Sequence, residues 1–142
     1  MNLDFGPTKD VVDWANDVIA QHPDYNVIVT THSYLQKDGT TLDGTDNASP
    51  TRCYNEWGST ENHYDGDDLW NELISKHDNI VLVLSGHDPS SEIVTVQTRG
   101  KNGNLVTQML IDPQDLDKNM IGGAGLVAML YFFFKINPSN IF

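Results

Sequence analysis

Two uninterrupted aliphatic runs, each followed by a histidine, constrain the fold of this chain most strongly. Asn26–Thr31 is rich in β-branched residues and precedes His32, while Asn79–Leu84 leads through a serine to Gly86 and His87. Apolar runs without alternation are typical of strands buried on both faces of a parallel sheet. We therefore expect two parallel strands whose histidines emerge at the same edge of one sheet.

Helical segments are predicted before and between these two strands. Residues Thr8–Gln21 carry apolar side chains at helical spacing and end before a proline, and Gly66 with Asp67 is expected to cap a second helix that ends near His77. Strand, helix and strand then form a βαβ-like unit. Residues 33–65, rich in Gly, Asp, Asn and Thr, lack periodicity and predict a long surface loop.

The second half of the chain changes from two-sided to one-sided burial. Glu92–Thr98 alternates apolar and polar residues, Lys101–Asn104 supplies a turn, and Leu105–Ile111 follows, which predicts an antiparallel hairpin. Leu126–Phe134 is interpreted as a final strand, although a run of that length equally fits a buried helix. The predicted fold class is α/β with mixed parallel and antiparallel strands in a single domain (residues 1–142).

Composition excludes several classes of function. A net charge of -12 over 142 residues opposes contact with nucleic-acid phosphates and with anionic membrane surfaces. No apolar run reaches the roughly 20 residues that span a bilayer. The single cysteine, Cys53, cannot form an internal disulfide and is interpreted as a passive loop thiol. The sequence shows no signal peptide at its start, and the localisation stays unknown.

The histidine pair is the strongest chemical signal in the sequence. Open α/β folds place their ligand sites at the carboxyl edge of the sheet, where His32 and His87 are expected to converge. Neutral imidazole is a common ligand for zinc, manganese and iron, and Gly86 is expected to relieve crowding beside His87. The alternative is that each histidine ends a strand and hydrogen-bonds to a neighbouring loop. Spacing leaves both interpretations open.

The two histidine segments resemble a known family. Val29-Thr30-Thr31-His32 and Leu84-Ser85-Gly86-His87 are similar to the last two sequence motifs of calcineurin-like metallophosphoesterases, with flanks that resemble bacterial members up to about Tyr131. The resemblance implies a two-sheet sandwich flanked by helices, of which this chain is the C-terminal portion. It also implies that His32 and His87 both ligate the second of two metal ions.

The family's activity is metal-dependent hydrolysis of phosphomonoesters or phosphodiesters, and the resemblance implies a phosphate ester substrate and a dinuclear site of Mn, Fe or Zn. The remaining ligands belong to motifs of the form Asp-x-His, Gly-Asp-x-x-Asp and Gly-Asn-His-(Asp/Glu), which are expected N-terminal to the segments seen here. We therefore expect the dinuclear site only in the complete domain. This chain is expected to be weak or inactive by itself, and no catalytic residue is assigned. Relatives are often exported.

Some positions depart from the family pattern or only echo it. Many members read Gly-His-x-His, whereas Pro89 stands at the second histidine position here, and Asp88 is the candidate substitute. Glu61–Tyr64 and Gly66–Trp70 faintly echo the missing motifs but follow His32, and they are interpreted as a loop histidine and a helix cap. An acidic group that does not fit an EF-hand is predicted to be solvated. Its members are Asp38, Asp43, Asp46 and Asp65.

A second hypothesis assigns no catalysis to the chain. It would be a truncated, non-catalytic interaction module that recognises a partner through the loop of residues 33–65. Missing strands are expected to leave an open sheet edge, which favours self-association. No nucleic-acid or membrane partner is expected. The tail Phe132–Phe142 departs from the family and has no assigned role.

Overall fold

The computed structural model describes residues 1–115 and 127–133. Within them the chain forms three α-helices, two short 3₁₀ helices and four β-strands. The helices are α1 (Lys9–Ala20), α2 (Pro50–Glu56) and α3 (Gly66–Glu72), with 3₁₀ turns at Ile74–Lys76 and Pro113–Asp115, and the strands are β1 (Val27–Ser33), β2 (Ile80–Gly86), β3 (Val94–Arg99) and β4 (Leu105–Leu110). The predicted α/β class with a mixed sheet is confirmed.

The four strands form one sheet in the order β1-β2-β4-β3. β1 pairs with β2 in parallel, β2 pairs with β4 in parallel, and β3 pairs with β4 as the predicted antiparallel hairpin. β4 therefore takes part in both kinds of pairing, and β3 takes part only in the antiparallel one. Because β1 and β2 are parallel neighbours, residues that follow their carboxyl ends lie at one edge of the sheet.

One face of the sheet packs against the helices. Alternate positions of the strands meet the buried faces of α1 and α3 in a single cluster, and Tyr34 lies fully buried among them. The cluster includes Val12, Ala15, Ile19, Val29, Leu69, Val83, Val106 and Leu110. α3 is capped by Asp65 rather than by the predicted Gly66 and Asp67, since the Asp65 N–H donates to Asp68 Oδ2 at 3.1 Å. The helix ends earlier than predicted, and a 3₁₀ turn completes the connection to β2.

Residues 33–65 are not a surface loop throughout. They contain helix α2, which begins with Pro50 behind Ser49, whose Oγ accepts from the Arg52 N–H at 3.3 Å. Several side chains of the segment are buried, among them Leu42 and His63. The loop prediction missed this helix because seven residues with no apolar stripe give no helical periodicity.

The opposite face of the sheet carries apolar side chains that do not belong to the helix-packed cluster. Alternation places Ile28, Leu82, Leu84 and Met109 there. Residues 130–132 line a cavity together with Leu82 and Met109. Residues 127–133 are irregular, so the predicted final strand is wrong over that range, and its two end residues lie outside the described residues.

The edges of the sheet differ. At the β1 edge, Leu3 N donates to Thr30 O and Thr30 N donates to Met1 O, both at 2.9 Å, so the N-terminal residues cover part of β1. At the other edge, no strand lies beyond β3 in the described ranges. The helices of residues 1–115 are all too short or too polar to cross a bilayer.

Candidate functional site

His32 and His87 come together at the carboxyl edge of the sheet, as the sequence predicts. His32 is the penultimate residue of β1, and His87 directly follows β2. Ser33 pairs with Gly86 in the register of these strands, which brings the two rings to the same level. His87 Nδ1 lies 3.0 Å from His32 Nε2, so in the neutral pair one ring donates a hydrogen bond to the other.

The backbone at His87 is unusual. Its φ of 75° is the only positive value at a non-glycine position among the described residues. The Asp88 N–H donates to Gly86 O at 3.0 Å, which closes a three-residue γ-turn with His87 at its centre. Such turns with positive φ are strained for a residue that has a side chain, and strain of this kind clusters at functional sites.

Gly86 does not have the role expected of it. A Cβ at Gly86 would lie 3.6 Å from Ile111 O and 3.9 Å from the Asp112 carboxylate, both ordinary van der Waals distances. Its φ is not in the left-handed region either, because the positive φ of the Gly-His pair falls on His87. The expectation that Gly86 relieves crowding beside His87 is therefore wrong.

Phe5 covers the histidine pair from one side. Its ring centroid lies 5.6 Å from the ring of His32 and 5.0 Å from that of His87. It also contacts Tyr54 at 5.7 Å and Trp57 at 6.1 Å, both supplied by α2 and its C-terminus. This aromatic cluster restricts rotation of the imidazoles. Neither composition nor motif spacing predicted that these aromatic residues would lie beside the histidines.

Burial and the neighbouring His32 lower the pKa of His87, against the opposing effects of a hydrogen bond with the Ala48 backbone and of Asp112 and Asp88. The imidazole therefore stays neutral further into the acidic range than a free histidine. A neutral ring keeps a lone pair, which is the form that binds a metal ion.

The spacing of the two nitrogens fits two ligands of one cation. Nitrogens each about 2.1 Å from a metal are about 3.0 Å apart at a right angle between the bonds and about 3.4 Å apart at the tetrahedral angle. The observed 3.0 Å matches the first of these separations. In the described ranges, however, no group of three or more His, Cys, Asp or Glu side chains is arranged to hold a metal ion. Two imidazoles are fewer than the three or four protein ligands that zinc sites use.

Asp88 is not directed at a metal beside His87. Its Oδ2 accepts a hydrogen bond of 2.7 Å from the backbone N–H of Lys37, in the loop that follows β1. The carboxylate thus joins the two loops that leave the histidine-bearing strands. Its predicted place as a substitute ligand has no geometric support here, while its position between the loops was not predicted.

His63 has a structural role. It is buried, its Nδ1 lies 2.7 Å from Gly6 O, and its Nε2 lies 3.1 Å from Ser59 Oγ. Its ring stacks on Tyr54 at 3.5 Å between centroids and an interplanar angle of 5°. Both nitrogens are therefore occupied, and His63 is a buried, hydrogen-bonded histidine of the loop between α2 and α3.

Other residues that the sequence analysis names have contacts of their own. His77 Nε2 contacts Asn16 Oδ1 at 2.8 Å, and Cys53 is a half-buried residue of α2 rather than of a loop. Asp38 and Asp43 each accept bonds from a threonine two residues on, as solvated turn residues do. Asp65 differs from the predicted solvated acid because it is buried and accepts from the Thr51 N–H at 2.8 Å.

Comparison with known proteins gives one informative similarity. The chain is 31% identical over 134 residues to the uncharacterized protein YvnB of Bacillus subtilis (strain 168), which covers 92% of this chain and 8% of YvnB. The chain therefore corresponds to a small part of that relative. No protein-family model matches the sequence. No solved structure gives a significant match.

Proposed function

We propose that this chain is the C-terminal part of a calcineurin-like metallophosphoesterase domain, in which His32 and His87 hold one of two metal ions. The observation that carries the proposal is the convergence of the two histidines, which come from the ends of two parallel strands 55 positions apart and meet at 3.0 Å. The order of the motifs in the sequence supports the same assignment.

The two-sheet sandwich of that family is the second part of the proposal. One face of the sheet is packed by α1 and α3, and the other presents Ile28, Leu82 and Met109 outside that core. A second sheet would bury the parts of Ile28 and Met109 that are still exposed, and each apolar Å² removed from water contributes about 25 cal/mol. In this arrangement the complete domain requires strands other than the four described.

The chain's own residues would act as ligands and as their support. Neutral imidazoles of His32 and His87 would offer Nε2 and Nδ1 to the same cation, and Phe5 would hold both rings in that orientation. When bound, a divalent cation polarises phosphoryl oxygens and lowers the pKa of a bound water. Two imidazoles without a bridging carboxylate supply too few ligands for a tight site, so this chain would hydrolyse phosphate esters weakly or not at all.

The test is Mn²⁺ or Zn²⁺ binding, measured by calorimetric titration of the metal-free chain. We expect weak binding by the unmodified chain, because two imidazoles are only part of a ligand set, and its loss in a His32→Ala, His87→Ala double variant. His22→Ala is the matched control, because His22 is exposed and lies next to Tyr25 rather than at the pair. Binding that persists in the double variant, or that is absent from all three proteins throughout the titration, would refute the assignment of the histidines as ligands.

A second candidate function is non-catalytic recognition through residues 33–65. Trp57 favours it, since 68% of this large aromatic residue is exposed, and exposed tryptophan is enriched at protein interfaces. The two functions differ in their dependence on metal. A chain that holds no metal and still binds a partner, with binding lost in Trp57→Ala, would favour recognition over hydrolysis.

A further inference from the structure

A hydrogen bond to a carboxylate side chain joins the loops that follow β1 and β2. Asp88 Oδ2 accepts from the Lys37 N–H at 2.7 Å, a distance typical of bonds to a carboxylate. Lys37 lies four residues beyond the end of β1, and Asp88 lies two residues beyond the end of β2. The bond therefore closes a bridge directly across the edge that carries the two histidines.

The bridge acts on the strained turn. Asp88 contributes its N–H to the γ-turn that holds His87 at a φ of 75°, and it contributes its carboxylate to Lys37. A strained backbone persists only where the surroundings hold it in place. Loss of the Lys37 bond would remove one support of this turn and leave the Ala48 backbone contact and the packing of Phe5. Relaxation of His87 to negative φ would then redirect its ring away from His32.

We propose that Asp88 is a positioning residue that keeps His87 against His32 through its bond to the Lys37 backbone. The link to metal binding rests on the proposed function, whereas the link to ring geometry does not. Asp88 acts through the backbone of the neighbouring loop and does not itself touch a metal or a substrate.

Asp38 provides a matched control within the same loop. Its carboxylate also accepts a backbone N–H, that of Thr40 at 2.9 Å, but the bond is local and does not reach the loop of His87. Asp38→Ala therefore removes a carboxylate and a backbone hydrogen bond without opening the bridge. Asp88→Asn retains an oxygen that can accept from Lys37 and tests whether the bond, rather than the charge, positions the ring.

The first readout is the nuclear Overhauser contact between the His32 and His87 rings in the metal-free chain, measured by NMR. We expect the contact in the unmodified chain, in Asp88→Asn and in Asp38→Ala, and its loss in Asp88→Ala. The contact between His63 and Tyr54 should persist in all four proteins, because it lies outside the bridge. An Asp88→Ala variant that keeps the His32–His87 contact would overturn the proposal.

The second readout is Zn²⁺ affinity by calorimetry. Loss of support for a ligand typically reduces metal affinity 10–100-fold, and we expect about a tenfold loss in Asp88→Ala, with Asp88→Asn and Asp38→Ala within about threefold of the unmodified chain. If no protein binds Zn²⁺, the proposed function fails while the ring contact still decides the role of Asp88. An Asp88→Ala chain that also loses the His63–Tyr54 contact would make Asp88 a determinant of global folding, and that would likewise overturn the proposal.

Discussion

The protein contains two histidine environments that use the same side chain in opposite ways. At His63, both ring nitrogens are occupied by the protein itself, and the ring lies buried in a parallel stack on Tyr54. At the sheet edge, His32 is exposed, and the nitrogens that face each other belong to two histidines. A histidine whose nitrogens both bond to the surrounding fold stabilises that fold, whereas two nitrogens that bond to each other at an exposed edge can exchange that bond for a ligand.

Replacing His63 by alanine should produce the largest loss of stability. The change removes two hydrogen bonds and an aromatic stack from a buried position, and it leaves the Gly6 carbonyl without its partner. We expect a loss of about 3 kcal/mol in the free energy of unfolding. Urea denaturation followed by circular dichroism measures it. A loss below about 1 kcal/mol would show that the interior role of His63 has been overstated.

Sequence reasoning distinguishes these two environments only in part. The aliphatic runs before His32 and His87 predicted the two strands, their parallel pairing and the meeting of the rings. They did so because an uninterrupted hydrophobic pattern indicates a strand that is buried on both faces of a parallel sheet. His63 was correctly placed in a loop, but its burial was not predicted, since its partners lie at Gly6 and in α2 and contacts over such separations have no local signature. The bond between Asp88 and the Lys37 backbone was not predicted for the same reason, because the two residues are far apart in the sequence.

The positive φ of His87 is a feature that sequence reasoning could not predict. A Gly-His pair suggests that the glycine takes the unusual backbone conformation, yet the structure assigns it to His87. Only the hydrogen bond between Asp88 and Gly86 identifies which residue is at the centre of the turn. Backbone dihedrals set by a three-residue hydrogen bond are not readable from residue type.

Gly6 supports the His63 environment, and its replacement should cost almost as much as that of His63. Its φ is 61°, and a Cβ would lie 2.5 Å from the Pro50 Cβ and 3.3 Å from the His63 Cβ. Both the backbone conformation and the packing therefore require glycine. We expect Gly6→Ala to lower the free energy of unfolding by about 2 kcal/mol. Thermal unfolding measures the change, and a variant as stable as the unmodified chain would contradict it.

The opposite result is expected at His87, where glycine should be tolerated or preferred for stability. Relief of a strained left-handed conformation returns on the order of 1 kcal/mol, partly offset by the lost contact with Phe5. We expect the free energy of unfolding of His87→Gly to exceed that of the unmodified chain by between zero and about 1 kcal/mol. We also expect this variant to lose metal binding. His87→Ala, which keeps the strain, is the matched control. Clear destabilisation by glycine would mean that His87 serves the fold as His63 does.

Replacement of Gly86 by alanine should have the smallest effect on stability, in contrast to the same replacement at Gly6. A Cβ at Gly86 meets no atom closer than 3.6 Å, and its φ lies outside the left-handed region. A glycine with a compatible backbone can be replaced by alanine with a gain of about 0.4–1 kcal/mol, because the unfolded chain loses freedom. We expect Gly86→Ala to be neutral or slightly stabilising in chemical denaturation and to leave the His32–His87 ring contact unchanged. Loss of that contact would show that the edge tolerates no side chain beside His87, and the strain at His87 would then depend on Gly86 as well as on Asp88.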